Sequence, residues 1–358
     1  MHIPDNYLSP ETCVVLGAAM VPVLAVSVKK VKEEVSKEKL PLLGVGAAFS
    51  FLLMMFNVPL PGGTTGHAVG AVLVAVLLGP YAACLSVTVA LAIQALLFGD
   101  GGVLALGANC FNMAFVMPFV GYAVYKLVSR IFGGSAAEPK TGSELCAGTQ
   151  RSARISGRSG VGNAIGVATG AYLGLNVAAL VAAIEFGIQP LLFTDANGLA
   201  LYCPYPLSIS IPAMLIPHLL LAGIVEAAFS VLIYSFIRNV SPGTLYEGEQ
   251  KRTKTVYALL VVLILFVPLG LLATGTAWGE WGADEIAEVV NGSAALGYVP
   301  DGMANGFSFD AFMPDYAVPG LADIPGYILS AVCGTAIAVI LFRILASLKK
   351  GKRTNAHA

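Results

Sequence analysis

Four histidines stand in this chain, at positions 2, 67, 218 and 357, and the first has a position that by itself suggests chemistry. A free amino terminus followed by histidine is a chelator. The terminal amine of Met1, the deprotonated amide nitrogen of His2 and the His2 imidazole close adjacent small rings around a metal ion. A fourth nitrogen would complete a plane. A square-planar nitrogen set favours Ni(II) or Cu(II), while the lack of thiolate and carboxylate ligands argues against zinc or magnesium. Met1 is expected to be retained, because His2 is too bulky for the usual removal of the initiator residue. Pro4 stiffens the segment just after the chelate. No cleavable signal peptide is expected, since the polar stretch from Met1 to Pro10 has no basic region ahead of an apolar one.

The elements that would position such a chelate are set by the bilayer. The chain has 358 residues, is 57% hydrophobic and 11% charged, against about 25% charged residues in soluble domains. A soluble globule is excluded. Apolar segments long enough for helices run at 11–28, 41–58, 66–79, 80–98, 107–132, 161–187, 210–238, 255–273 and 325–347. The third is short for a span of ~20 residues and is expected to be partly re-entrant or sunk among its neighbours. All 20 lysines and arginines then fall on alternate connections. They stand at 29–39, at 126–158, at 238–254 and from Arg343 to the tail, and that side is cytoplasmic by the positive-inside rule. The amino terminus is expected outside and the carboxyl terminus inside.

The opposite loops, near 57–66, 99–106, 188–210 and 274–324, contain no Lys or Arg. The last carries eight acids, Glu280, Asp284, Glu285, Glu288, Asp301, Asp310, Asp315 and Asp323. Such a loop would draw cations to the outer face; it also reads as plain solubility of a translocated segment. Two histidines share this outer side: His2, and His67, which follows the glycine-rich loop Pro61-Gly62-Gly63-Thr64-Thr65-Gly66, where backbone can approach closely. They read equally as a disordered terminal residue and a hydrogen-bonded histidine at a helix start, and the residues alone leave both readings open.

Gln94, Asn109, Asn112, Glu185, His218 and Glu226 lie in or near the apolar segments, where polarity is expensive. Asn109 and Asn112, one turn apart, are candidates for ordering the amino-terminal segment without touching the ion. His218 and Glu226 are eight positions apart, ~12 Å along a helix, too far to chelate one ion. They read as interhelical hydrogen-bonding groups or contacts for a partner subunit. Gly162, Gly166, Gly170 and Gly174 form a packing stripe. The six cysteines have no metal-type spacing. The net charge of -1 gives no argument for nucleic acid.

Several ungapped motifs carry a resemblance. The opening Met1-His2-Ile3-Pro4-Asp5-Asn6-Tyr7-Leu8-Ser9-Pro10, the loop Gly62 to His67, the runs Gln94 to Gly102 and Ala105 to Asn109, and His218 to Glu226 are similar to the CbiM/NikM subunit of energy-coupling-factor (ECF) importers for nickel and cobalt. The resemblance covers residues 1–240. It implies an all-α polytopic membrane protein, a bundle of about seven helices plus two further transmembrane helices. It also implies a square-planar ion site made by the amine of Met1, the amide and imidazole of His2, and His67. Asn6 stands where the family usually has glycine, and asparagine tolerates left-handed backbone angles.

Residues 255–347, with Pro300-Asp301-Gly302-Met303 and Pro314 to Gly320, resemble the PDGLE-type (NikN-like) companion subunit, fused here through a cytoplasmic linker at 241–254 and followed by a basic tail at 348–358. The Leu-Glu of that motif is replaced by Met303-Ala304. There is no GxxxxGK[ST] loop, so P-loop ATP hydrolysis needs partners. The resemblance supplies them as a membrane coupling subunit (CbiQ/NikQ-like) and ABC-type ATPases (CbiO/NikO-like). The expected function is a multi-pass, inner-membrane capture subunit that takes Ni(II) as cargo, binds no resident cofactor and is not an enzyme. A cobalt importer feeding cobalamin synthesis and a self-sufficient secondary divalent-metal transporter are the alternatives.

Overall fold

The computed structural model describes residues 2–60, 64–132, 157–240, 253–273, 276–289 and 295–348. Met1, residues 61–63, the basic connections at 133–156 and 241–252, and the tail from 349 lie outside them. Among the described residues, helical segments run in the order α1 (Pro10–Glu34), α2 (Leu40–Met54), α3 (Ala71–Leu78), α4 (Pro80–Phe98), α5 (Leu106–Phe132), α6 (Gly157–Gly187), α7 (Leu207–Val240), α8 (Val256–Leu272) and α9 (Asp323–Leu348). Six helices among the described residues are long and apolar enough to cross a membrane. The chain is a multi-pass membrane protein. A two-stranded antiparallel hairpin, β1 (Val58–Leu60) with β2 (Thr64–Gly66), is a small departure from the all-helical expectation.

Local sequence explains the main boundaries. Ser9 caps α1, its Oγ accepting from Thr12 N at 3.1 Å, and Pro10 occupies the first turn, where its missing N–H costs nothing. α3 has only eight residues, ~12 Å of helix, and cannot span ~30 Å of hydrocarbon. Residues 67–70, which precede it, are non-helical, and all four are buried. Non-helical backbone in such a bundle is tolerated where protein or a cavity surrounds it. Gly70, at φ 71°, turns the chain into α3.

Three helices contain π-turns, at Gln94–Phe98 in α4, Cys110–Val116 in α5 and His218–Ala222 in α7. The last follows Pro217, which cannot donate to the preceding turn and so displaces the hydrogen-bond register. The glycine stripe of α6 meets α5: a methyl on Gly170 would lie 2.5 Å from Gly121 O, and one on Gly174 2.8 Å from Met117 O. α9 lies equally close to α2, where a methyl on Gly44 would sit 2.9 Å from Ala338 O.

The loops free of Lys and Arg all meet at one end of the bundle, around residues 2–9. Gly102 N donates to Ile3 O at 2.8 Å, Cys203 N to Tyr7 O at 3.0 Å, and Tyr7 OH to Trp281 O at 2.9 Å. His67 Nε2 stands 3.2 Å from His2 Nδ1. That end of the molecule holds the candidate site.

Candidate metal-capture site

The amino-terminal segment is threaded into the bundle and held along its backbone. Ile3 N donates to Asn109 Oδ1 at 2.8 Å, and Asn109 Nδ2 donates back to Ile3 O at 3.0 Å. The Asp5 carboxylate accepts from the backbone N–H groups of Val103, Leu104 and Ala105 at 3.0, 2.7 and 3.3 Å. Asn6 takes φ 67°, and its side chain bonds Phe307 N and Phe307 O at 2.9 and 2.8 Å. Asparagine thus supplies both the left-handed angle and a clamp on residues far along the chain. Ser9 N donates to Gln189 Oε1 at 3.0 Å. Ile3, Tyr7 and Leu8 are fully buried. The segment is not a disordered terminus.

This anchoring sets His2 beside His67. Their rings are 4.7 Å apart at 31°, both buried, with His67 Nε2 3.2 Å from His2 Nδ1. With metal–nitrogen bonds of about 2.0 Å, neighbouring corners of a square of nitrogens stand ~2.8 Å apart, so the two imidazoles need little movement to share an ion. His67 Nδ1 faces Ala68 O at 3.3 Å, which leaves Nε2 as the inward nitrogen. Among the described residues no three His, Cys, Asp or Glu side chains form a metal cluster.

Sequence reasoning missed Asp100. It lies in the glycine-rich turn after α4, with its Oδ1 3.0 Å from His2 Nδ1. Gly101, at φ 80°, lets that turn pass close to the histidine: a methyl there would sit 3.1 Å from Asn109 Nδ2 and 3.3 Å from His2 Cδ2. Gln94 Nε2 donates to Asp100 Oδ2 at 3.0 Å, and Tyr316 OH donates to the same oxygen. Burial would raise the Asp100 carboxyl, but attraction to His2 and its hydrogen bonds hold it well below the usual carboxylate range. Burial, reinforced by the facing His2, pushes the His67 imidazolium well below its usual value and favours the neutral, ligating form. The signal for Asp100 was a lone carboxylate flanked by Gly99, Gly101 and Gly102.

Other polar groups are placed apart from one another. Asn109 holds Ile3, whereas Asn112 Nδ2 donates to Glu185 Oε2 at 2.7 Å and faces α6. The π-turn that begins at Cys110 breaks the one-turn register that would have set both asparagines on one face, so the expected shared role of Asn112 is corrected. His218 Nδ1 faces Met214 O at 2.7 Å within its own helix. Glu226 accepts from Val69 N at 2.7 Å and Gly70 N at 3.0 Å. It therefore fixes the backbone just after His67, a role its sequence distance from that loop concealed.

A polar cavity of about 370 Å³ opens beside the histidines, lined by His2, His67 and Asp100 together with Glu280, Asp315 and Tyr316. Its walls come from both ends of the chain.

Residues 2–244 match the family described as the cobalt uptake substrate-specific transmembrane region. The chain belongs to that family. Residues 252–351 match the PDGLE domain, so this family member carries a fused companion. The chain is 49% identical over 346 residues to the probable fused nickel transport protein LarMN of Lactiplantibacillus plantarum, covering 96% of this chain and 97% of the relative. It is 43% identical over 364 residues to the fused nickel transport protein NikMN of Rhodobacter capsulatus, covering 98% of each. A cobalt transport protein CbiM of Lachnoclostridium phytofermentans is 36% identical over 133 residues, 37% of this chain and 53% of that one. A solved truncated transition metal transporter is 51% identical with a TM-score of 0.56, covering 67% of this chain and 99% of that one.

Proposed function

We propose that the chain is the substrate-capturing membrane subunit of an ATP-driven ECF-type importer and that its cargo is Ni(II). The ion is held in a plane of four nitrogens: the amine of Met1, the amide nitrogen and imidazole of His2, and His67. The observation that carries this reading is the 3.2 Å approach of two buried imidazole nitrogens on a tethered amino terminus. Nickel is preferred over cobalt because a flat nitrogen set suits Ni(II). In addition, two nickel-named relatives match 96% and 98% of the chain, whereas cobalt-named relatives match 36–37%. The absence of basic residues from the loops around the site supports an outer location, with the amino terminus outside and the tail cytoplasmic. Residues 1–240 form the capture domain, 241–254 a cytoplasmic linker and 255–347 the companion domain, with a basic tail after it. A membrane coupling subunit and ABC-type ATPases supply the energy, since the sequence has no P-loop.

Calorimetry with Ni(II) and Co(II) on purified protein with a native terminus tests this. One extra residue before Met1 and, separately, His67→Ala are each expected to abolish binding. Normal binding by the extended protein would defeat the amino-terminal chelate. A preference for Co(II) would reassign the cargo.

A further inference from the structure

Tyr316 belongs to the PDGLE domain, 216 positions from Asp100 in sequence, yet its hydroxyl donates to the Asp100 carboxylate. We propose that Tyr316 is a positioning residue for metal capture, holding the Asp100 carboxylate beside the two histidines, so that the fused domain completes the site its partner domain begins. The proposal rests on His2 and His67 being the ligands.

The hydrogen-bond directions leave one arrangement. Gln94 Nε2 can only donate, and it reaches both Tyr316 OH at 2.9 Å and Asp100 Oδ2 at 3.0 Å. The hydroxyl that accepts from Gln94 has its own hydrogen left for Asp100 Oδ2. With Oδ2 occupied twice, Oδ1 is the oxygen turned to His2 Nδ1 at 3.0 Å. A chain of contacts, Tyr316 to Asp100 to His2 to His67, thus crosses from one domain to the other. Asp100 meets the nitrogen of His2 that also faces His67. Once an ion takes that nitrogen, the carboxylate stands beside the ion, held in place by Tyr316 and Gln94. Losing such an outer partner of a metal site typically costs ~10–100-fold in affinity.

The backbone gives an independent observation. Asp315 and Tyr316 take φ 53° and φ 60°, consecutive left-handed angles in residues that are not glycine. Such angles persist only where the surroundings impose them, and they gather at functional sites. Here the restraints come from three directions. Met313 N donates to Leu97 O at 2.7 Å, Ser330 Oγ donates to Tyr316 O at 2.8 Å, and the tyrosine ring stacks on Phe98 at 4.7 Å between centroids. The strained turn delivers a buried hydroxyl to the Asp100 carboxylate beside the histidines.

The test uses the full chain with its native terminus and Ni(II) calorimetry. Tyr316→Phe keeps the ring and removes only the hydroxyl; it is expected to bind Ni(II) ~10–100-fold more weakly, with its metal-free unfolding temperature unchanged and the visible band of the bound ion retained. Asp100→Asn, which leaves Tyr316 intact, is expected to give a comparable loss. The double variant should be no weaker than the weaker single one, because both act through one contact chain. Tyr316→Phe binding as tightly as the unmodified protein would overturn the proposal, and so would losses that simply multiply in the double variant. His67→Ala run alongside separates the two levels. If it still binds Ni(II), the ligand assignment fails; if it does not and Tyr316→Phe is unaffected, only the role of Tyr316 fails.

Discussion

The two ends of this chain's buried polarity behave differently. At the amino-terminal end, His2 touches both His67 and Asp100 beside a polar cavity, and the buried His2 Nε2 has no hydrogen-bond partner among the described residues. Deeper in the bundle, His218 and Glu226 are each taken up by backbone: one faces Met214 O in its own helix, and the other binds the N–H groups of Val69 and Gly70. Ionisable residues in membrane segments are expected to be functional. Here, however, the intramembrane pair bonds to main chain, while the histidines proposed to capture the ion sit on loops at the rim. What separates the two is whether a polar side chain meets other side chains beside open volume or satisfies a main-chain group.

The sharpest way to break this contrast is to remove a rim ligand. His67→Ala should abolish Ni(II) binding by calorimetry, while the protein still unfolds cooperatively. Next in size is Tyr316→Phe, with its ~10–100-fold loss. Glu226→Ala comes third. It leaves two buried N–H groups unpaired at about 1–3 kcal/mol each, so it should lower the thermal unfolding midpoint. It should also weaken Ni(II) binding, because the backbone that follows His67 is released. Weakened binding without loss of stability would instead make Glu226 part of the ion's own path. Acidification sharpens the assignment further. Ligands must be deprotonated to bind, so Ni(II) affinity should fall as pH falls. His67, already held neutral by burial, should contribute little to that slope near neutrality. The smallest effect is expected for His218→Leu, with Ni(II) affinity essentially unchanged; a large loss would move His218 into the transport route.

Much of this was legible in the sequence. The nine apolar segments correspond to helices α1 to α9 among the described residues, and the loops without Lys or Arg lie together around residues 2–9. The reason is that a bilayer imposes a one-dimensional rule. Every stretch of backbone inside it must satisfy its own hydrogen bonds, and charge sorts by side, so length, hydropathy and basic residues suffice. The terminal His2 and the glycine-flanked His67 were legible because their chemistry depends on local context.

Only the tertiary structure decided the rest. Nothing local ties Asp100 to Tyr316, or Glu226 to Val69 157 positions away, because contacts between distant segments depend on how helices pack. Asn109 and Asn112 look alike by periodicity, and a π-turn divides them between the amino-terminal segment and α6. The sequence by itself determined a membrane bundle with two histidines at one rim. The packing of its two domains determined which carboxylate and which hydroxyl stand behind them, since those partners are set by close approach in space and not by spacing along the chain.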